Sequence, residues 1–236
     1  MRQPATRTDK PAAPRRTYKL LGLTLILLSL ALALPAGASA AGWFTQSSGT
    51  SAELDAVSFP DASHGWAVGN SGGTAFILAT ANGGTNWSQQ DSGINMTLNS
   101  VASSDATHAW AVGSTVNSWG GDDFAIFATI DGGANWSAQA SGPTGEFNAV
   151  TVLPDGVHGW AVGMHGAIAA TTDGGANWQL QTSGSGEDLY AVSFSDASHG
   201  CAVGNFGTIL ATTDGGTTWS PQSSVTGANL LGVDFV

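Results

Sequence analysis

Residues 171–178 read TTDGGANW, and near copies stand at 80–87 (TANGGTNW), 129–136 (TIDGGANW) and 212–219 (TTDGGTTW). An Asp-Gly-Gly stretch beside hydroxyl side chains can hold a metal or a phosphate, or it can be a turn that a fold needs several times. Recurrence decides between them. The closing tryptophans Trp87, Trp136, Trp178 and Trp219 are spaced by 49, 42 and 41 residues, and a second series keeps step: DASHGWAVG at 61–69, DATHAWAVG at 105–113, DGVHGWAVG at 155–163 and DASHGCAVG at 196–204. Ahead of each lies a short apolar run, LDAVSF, LNSVAS, FNAVTV or LYAVSF.

One repeat therefore reads as strand A, turn, strand B, loop, strand C, DGG turn, strand D, with runs rich in Val, Phe, Ile and Trp bounded by Gly, Asp, Asn and Ser. Four antiparallel strands in a period of about 40–50 residues are what a propeller blade requires, and one blade buries too little alone. The predicted fold is an all-β propeller over 43–236, with four complete four-stranded blades at about 54–92, 98–141, 147–183 and 189–223. In the first repeat the strands are expected at about 54–59, 65–69, 75–80 and 87–91, and no helix is expected. WFTQSSG at 43–49 matches the D strands and LLGVDFV at 230–236 matches the A strands, so a partial closing blade lacking strands B and C is expected. Such a chain is a fragment of a larger propeller, for example a seven-bladed one, or its gap is closed by strained geometry or by a partner. Self-association at the open blade edge belongs to the second case.

The first forty residues read as a signal peptide. Arg15, Arg16 and Lys19 supply a positive n-region, Leu20 to Leu34 an apolar h-region, and Ala38-Ser39-Ala40 a small-residue cleavage pattern. A secreted, periplasmic or cell-surface protein is expected, with an uncleaved leader as the one route to a membrane, although about 15 apolar residues are short for a span. All six Lys and Arg residues lie in this leader, together with one of the 17 acids, so residues 41–236 carry 16 acids and no strong cation. That balance excludes nucleic-acid binding, which needs Lys and Arg against phosphates, and any arginine clamp for a carboxylate or phosphate. Relief of carboxylate repulsion also predicts that moderate acid stabilises the domain. The lone Cys201 forms no intrachain disulfide and is expected as a small buried side chain.

The quoted stretches resemble the Asp-box, Ser/Thr-x-Asp-x-Gly-x-Thr-Trp. The last, with Thr218, matches throughout; three have Asn at the seventh position (Asn86, Asn135, Asn177), and the first has Asn82 for Asp. The side chains of Asn82, Asp131, Asp173 and Asp214 are expected to accept hydrogen bonds from turn amides, glycine to supply positive φ, and Trp87, Trp136, Trp178 and Trp219 to pack under the hairpin. Four equivalent copies argue for a structural part, since a catalytic site is needed once. The turn histidines His64, His108, His158 and His199 also occur once per repeat, which spreads them too far apart to share an ion. The expectation is no catalytic residue, no cofactor and no metal at these turns.

DxxHGWAVG combined with TTDGGxxW over four repeats, essentially all of 43–236, resembles the photosystem II assembly and stability factor family. The resemblance implies a lumenal or periplasmic Asp-box propeller that binds a reaction-centre subunit without catalytic activity. The arginine-rich binding patch of that family has no counterpart here, and the blade count falls short of seven. Other Asp-box families fit less well: sialidases need an arginine triad, absent after residue 16, and xyloglucan-active endoglucanases use paired acidic residues in much longer two-propeller chains.

A function grafted on a repeat is expected where the repeat breaks. Trp119 lies out of register in the insertion STVNSWGGDDF, beside Asp122 and Asp123. In a propeller this B–C loop shares a face with the D–A loops, which carry Glu146 and Asp188, and with Asp55, Asn99, Asn148 and Tyr190, which fall at one register inside strand A. These nine residues form the candidate ligand or partner site. A Trp among carboxylates suits a cationic protein surface, a glycan that stacks on the ring, or Ca²⁺. The leading reading is a non-enzymatic scaffold that binds a protein; the alternative is a fragment of a glycoside hydrolase or a glycan-binding module.

Overall fold

The computed structural model describes residues 45–91, 93, 96–116, 122–139 and 146–235. They form four four-stranded antiparallel sheets, each built from strands consecutive in the chain. Blade 1 holds β1 (Glu53–Ser58), β2 (Gly65–Ser71), β3 (Thr74–Thr80) and β4 (Ser88–Gln90). Blade 2 holds β5 (Thr97–Ser103), β6 (Ala109–Val116), β7 (Asp122–Thr129) and β8 (Ser137–Gln139). Blade 3 holds β9 (Phe147–Val152), β10 (Gly159–Gly163), β11 (Ile168–Thr171) and β12 (Gln179–Gln181), and blade 4 holds β13 (Leu189–Phe194), β14 (Gly200–Gly204), β15 (Ile209–Thr212) and β16 (Ser220–Pro221). The expected all-β propeller architecture is present, with two single 3₁₀ turns at Met164–Gly166 and Asn205–Gly207 as the helical elements among the described residues.

The segments expected as partial strands are not strands where they are described: residues 45–48 and 230–235 carry no ladder. A strand exists by pairing, and neither segment has a strand of its own sheet beside it. They pack all the same. Gln46 donates from Nε2 to the Gly83 carbonyl at 3.1 Å, and the Leu230 amide donates to the Gly204 carbonyl at 3.0 Å.

The core lies between blades. Three clusters hold most of the buried apolar side chains, one per junction: Trp66, Val68 and Ile77 against Met96, Leu98, Val101 and Ala111; Trp110, Val112 and Ile126 against Phe147, Val150 and Ala161; and Trp160, Val162 and Ile168 against Leu189, Val192, Phe194 and Ala202. This explains the repeated WAV of strand B. Trp and Val point at the next blade, while the intervening Ala points back and leaves room for the Trp and Val of the blade before. Strand B is therefore apolar on both faces and reads as an unbroken run instead of an alternation. Burying one indole removes about 150–250 Å² from water, roughly 4–6 kcal/mol of gross driving force.

Candidate functional face

Each blade has two ends of different character. At one end the A–B turn and the C–D turn are locked together. In the A–B turn of blade 1, Asp61 Oδ1 accepts from the amides of Ser63 and His64 at 2.7 Å each, and its Oδ2 lies 2.9 Å from His64 Nδ1. Asp105, Asp155 and Asp196 repeat this with His108, His158 and His199. The His64 amide and then that of Ser63 hold the Asp61 carboxyl at about 2. For Asp105 and Asp155 partial burial pushes upward, but the hydrogen bonds outweigh it and the carboxyl again lies low.

In the C–D turns the hydroxyl of Thr80, Thr129, Thr171 or Thr212 accepts the amide of Gly84, Gly133, Gly175 or Gly216 and donates to Asn82, Asp131, Asp173 or Asp214. The same Asx oxygen accepts the amide of the seventh residue of the turn. Asn and Thr alternate there for a chemical reason. Asn135 and Asn177 donate from Nδ2 to the second carboxylate oxygen at 2.8 and 2.7 Å, and Thr218 donates from its hydroxyl to Asp214 at 2.7 Å. Side-chain donation by Asn135 and Asn177, and the amide and hydroxyl of Thr218, hold these three carboxyls low. The first glycine of each turn donates its amide to the A–B turn of the same blade, as Gly174 does to Val157 at 3.0 Å. Trp178 and Trp219 are buried, and Trp87 and Trp136 half-buried. The hydrogen-bonding capacity of this end is spent on itself.

The opposite end is built on a β-bulge in strand A of every blade. Leu54 and Ala56 face successive residues Gly69 and Val68, leaving Asp55 as the extra residue; the same irregularity isolates Asn99, Asn148 and Tyr190. The four residues that share a register in the sequence are thus the four bulge residues. The bulge presses on the glycine of AVG. A Cβ on Gly163 would overlap the Glu146 carbonyl, and one on Gly69, Gly113 or Gly204 would overlap the equivalent Glu53, Thr97 or Asp188 carbonyl. Asn99 and Asn148 use their re-aimed amides to tie blades together, donating to the Phe147 and Leu189 carbonyls at 2.9 Å each. Asp55 has no donor, so Asn70 makes that tie instead, accepting the Leu98 amide at 2.9 Å and donating to Asp55 at 2.9 Å.

In blades 3 and 4 these bulges carry a continuous row. The Met164 amide donates to the Glu146 carbonyl at 2.9 Å, and Glu146 Oε1 accepts Asn99 Nδ2 at 2.7 Å. The His165 amide donates to Asp188 Oδ1 at 2.9 Å, and Asp188 Oδ2 accepts Asn205 Nδ2 at 3.1 Å. The Asn205 amide donates to the Asp188 carbonyl at 2.8 Å, Tyr190 donates its hydroxyl to Asn205 Oδ1 at 2.9 Å, and the Phe206 amide donates to Asn229 Oδ1 at 3.3 Å. D–A loop residues Glu146, Asp188 and Asn229 therefore alternate with the B–C turns of blades 3 and 4. At the tip of each turn a side-chain-bearing residue holds a left-handed backbone, His165 at φ 55° and Phe206 at φ 51°, the two such non-glycine residues among those described. Both are exposed, Phe206 at 70%. A Cβ on the glycine that follows each would overlap a backbone carbonyl of the neighbouring D–A loop, that of Ser185 for Gly166 and of Thr226 for Gly207.

Of the expected site residues, the structure brings Glu146, Asp188 and Tyr190 into this row, with Asn99 and Asn148 as ties beneath it. Asp55 belongs to blade 1 and its Asn70 contact. Trp119 lies outside the described residues; Asp122 and Asp123 open β7, paired through their main chains with Val116 and Thr115, and their side chains lie outside the described part. Phe206, Asn205 and His165 are not among the residues expected from the sequence. The available signal was the pair AVGMHGA and AVGNFGT, in which a bulky residue precedes glycine directly after strand B in two successive repeats.

No protein-family model matches the chain, and no curated protein does. Among solved structures it is similar to YCF48 bound to D1 peptide, with 26% identity and a TM-score of 0.59 over 79% of this chain and 58% of that one. It is also similar to an ancestral GH74 enzyme, with 16% identity and a TM-score of 0.59 over 79% of this chain and 26% of that one. YCF48 from Cyanidioschyzon merolae aligns at 18% identity with a TM-score of 0.43, over 76% and 88% of the two chains. The chain thus spans less than two thirds of the peptide-bound YCF48 chain, and the shared feature is the β-propeller.

Proposed function

We propose that this is a non-enzymatic binding propeller, working outside the cytoplasm, that takes a polypeptide partner on the face formed by its B–C turns and D–A loops. The observation that carries this reading is the row Glu146, His165, Asp188, Phe206: carboxylates and exposed side chains held on hydrogen-bonded turns, on a face re-aimed by four bulges. Rigid presentation lowers the entropy lost on binding, and bulges recur where a fold turns side chains toward a ligand. The likeness to a propeller solved with a bound peptide supports the choice of polypeptide. The DGG turns are read as Asp-boxes, structural clasps on the face not used for binding. The leader at 1–40 is read as the export signal that puts the protein in the envelope or outside the cell.

Site-specific photo-crosslinking tests the reading. A benzophenone side chain at position 186 on the proposed face, and at position 176 on the opposite one, both exposed and free of side-chain bonds, is irradiated in producing cells. Polypeptide adducts from 186 and none from 176 are expected; equal adducts at both, or none, would remove it. Release of reducing sugar from xyloglucan by the purified protein would turn the assignment toward hydrolysis.

A further inference from the structure

Strained backbone persists only where the surroundings enforce it, at about 1–3 kcal/mol for a residue. At both B–C turn tips a glycine would remove that strain, yet His165 and Phe206 occupy them. Neither side chain repays the strain by burial, since both are exposed. A phenyl ring 70% exposed on a turn fixed by Asn229, Asp188 and the Thr226 segment is a rigid aromatic surface in water. Around it the charge has one sign. Asp188 has both oxygens engaged, and Glu187, one residue away, uses its amide on Ser185 while its carboxylate has no partner among the described residues. Residues 41–236 contain no Lys or Arg that could supply one.

We propose that this row recognises a polypeptide segment through a Lys or Arg side chain that lies on the Phe206 ring and is neutralised by Glu187, with His165 contacting the same segment one blade away. The inference rests on the peptide-binding reading and gives it a chemical class. An aromatic face attracts a cation through its quadrupole, most strongly when water is excluded, and a guanidinium stacks on a ring while bonding a carboxylate in its own plane. An acidic or purely apolar segment would meet unneutralised carboxylates on this face. Glutamine in place of the cation would satisfy hydrogen bonding and lose both attractions.

A random dodecapeptide library displayed on phage is selected on the immobilised protein, and an enriched peptide is then measured by fluorescence anisotropy. Enriched sequences containing Lys or Arg are expected, with affinity falling about tenfold when that residue is replaced by glutamine or citrulline, and falling as salt rises. Phe206→Gly is the decisive variant, because glycine suits the φ of 51°. Its melting temperature is expected to hold or rise while affinity falls about tenfold; Glu187→Gln is expected to weaken binding with no change in melting. Unchanged affinity in Phe206→Gly, or enriched peptides free of Lys and Arg, would overturn the inference and leave the peptide-binding reading standing. No enrichment of any peptide, or binding of neutral oligosaccharides in its place, would overturn both.

Discussion

Asp61, Asp105, Asp155 and Asp196 each accept two turn amides and contact a histidine three residues on, so the same event tests all four. Their carboxyls lie below the ordinary 3.8 when folded, Asp61 at about 2, as do Asp131, Asp173 and Asp214 in the C–D turns. A depressed folded value means the unfolded chain binds protons first as pH falls. The stabilisation is complete above about pH 5 and is lost as pH falls from there through 3.8 toward about 2. Relief of repulsion among 16 acids and no strong cation acts in the other direction between pH 7 and 5. The melting temperature should therefore rise from pH 7, peak at about pH 5 and fall below about pH 4; a value still climbing at pH 3 would refute the account of the turns. A different residue-scale test uses Gly163, where a methyl group would meet the Glu146 carbonyl. Gly163→Ala is expected to cost about 2 kcal/mol or more in urea unfolding, since the neighbouring atom is backbone and cannot swing aside.

Strand B carries the element-scale logic. Trp160 is 1% exposed and stacks on Phe194 of the next blade with ring centroids 3.5 Å apart, while Ala161 behind it is fully buried against the previous blade. Trp160→Ala should cost about 3–5 kcal/mol by leaving a cavity at the junction of blades 3 and 4, and Ala161→Leu about 1–3 kcal/mol by overpacking the junction of blades 2 and 3, both read by chemical denaturation. Cys201 takes the Trp position in blade 4, where the forward face meets no further complete blade among the described residues, and burial raises its thiol above the ordinary range. The repeat made the strands and their order legible, because WAV and the DGG turn each recur in step with the chain. The bulges were legible as a register of Asp55, Asn99, Asn148 and Tyr190, but their bulged state was not, since any residue type can occupy such a position and the constraint falls on the glycine across the ladder. Phe206 stayed hidden for a related reason: a left-handed φ on a side-chain-bearing residue is imposed by neighbours distant in sequence, here Asn229 and Thr226. The end segments at 45–48 and 230–235 match strands in sequence but carry no ladder, because similarity to a strand does not supply a pairing partner.

At the scale of the whole molecule, a row of blades that bury nothing alone is close to a linear chain of nearest-neighbour couplings, and its weakest junction decides where it opens. Strand D of blades 1, 2 and 3 ends in a glutamine that can clasp the next DGG turn. Gln90 donates to the Gly132 carbonyl at 2.9 Å and accepts Trp136 Nε1 at 3.2 Å; Gln181 does the same with Gly215 and Trp219 at 3.0 Å each. Gln139, their counterpart between blades 2 and 3, turns back to its own strand at Ser137, and two indole nitrogens at that junction, those of Trp110 and Trp178, are buried without a partner among the described residues, against one, that of Trp66, at the junction of blades 1 and 2. An unmatched buried donor costs about 1–3 kcal/mol, whereas a satisfied one returns about 1. Gln90→Ala and Gln181→Ala should therefore each destabilise by about 1–2 kcal/mol through orphaning an indole, while Gln139→Ala stays within about 0.5 kcal/mol. Native-state hydrogen exchange should show the amides of blades 3 and 4 opening together, at lower denaturant than the junction of blades 1 and 2, because the molecule parts at the unclasped junction. Equal costs for all three glutamines would mean that Gln139 closes its clasp in solution, and the weak point would then lie elsewhere in the row.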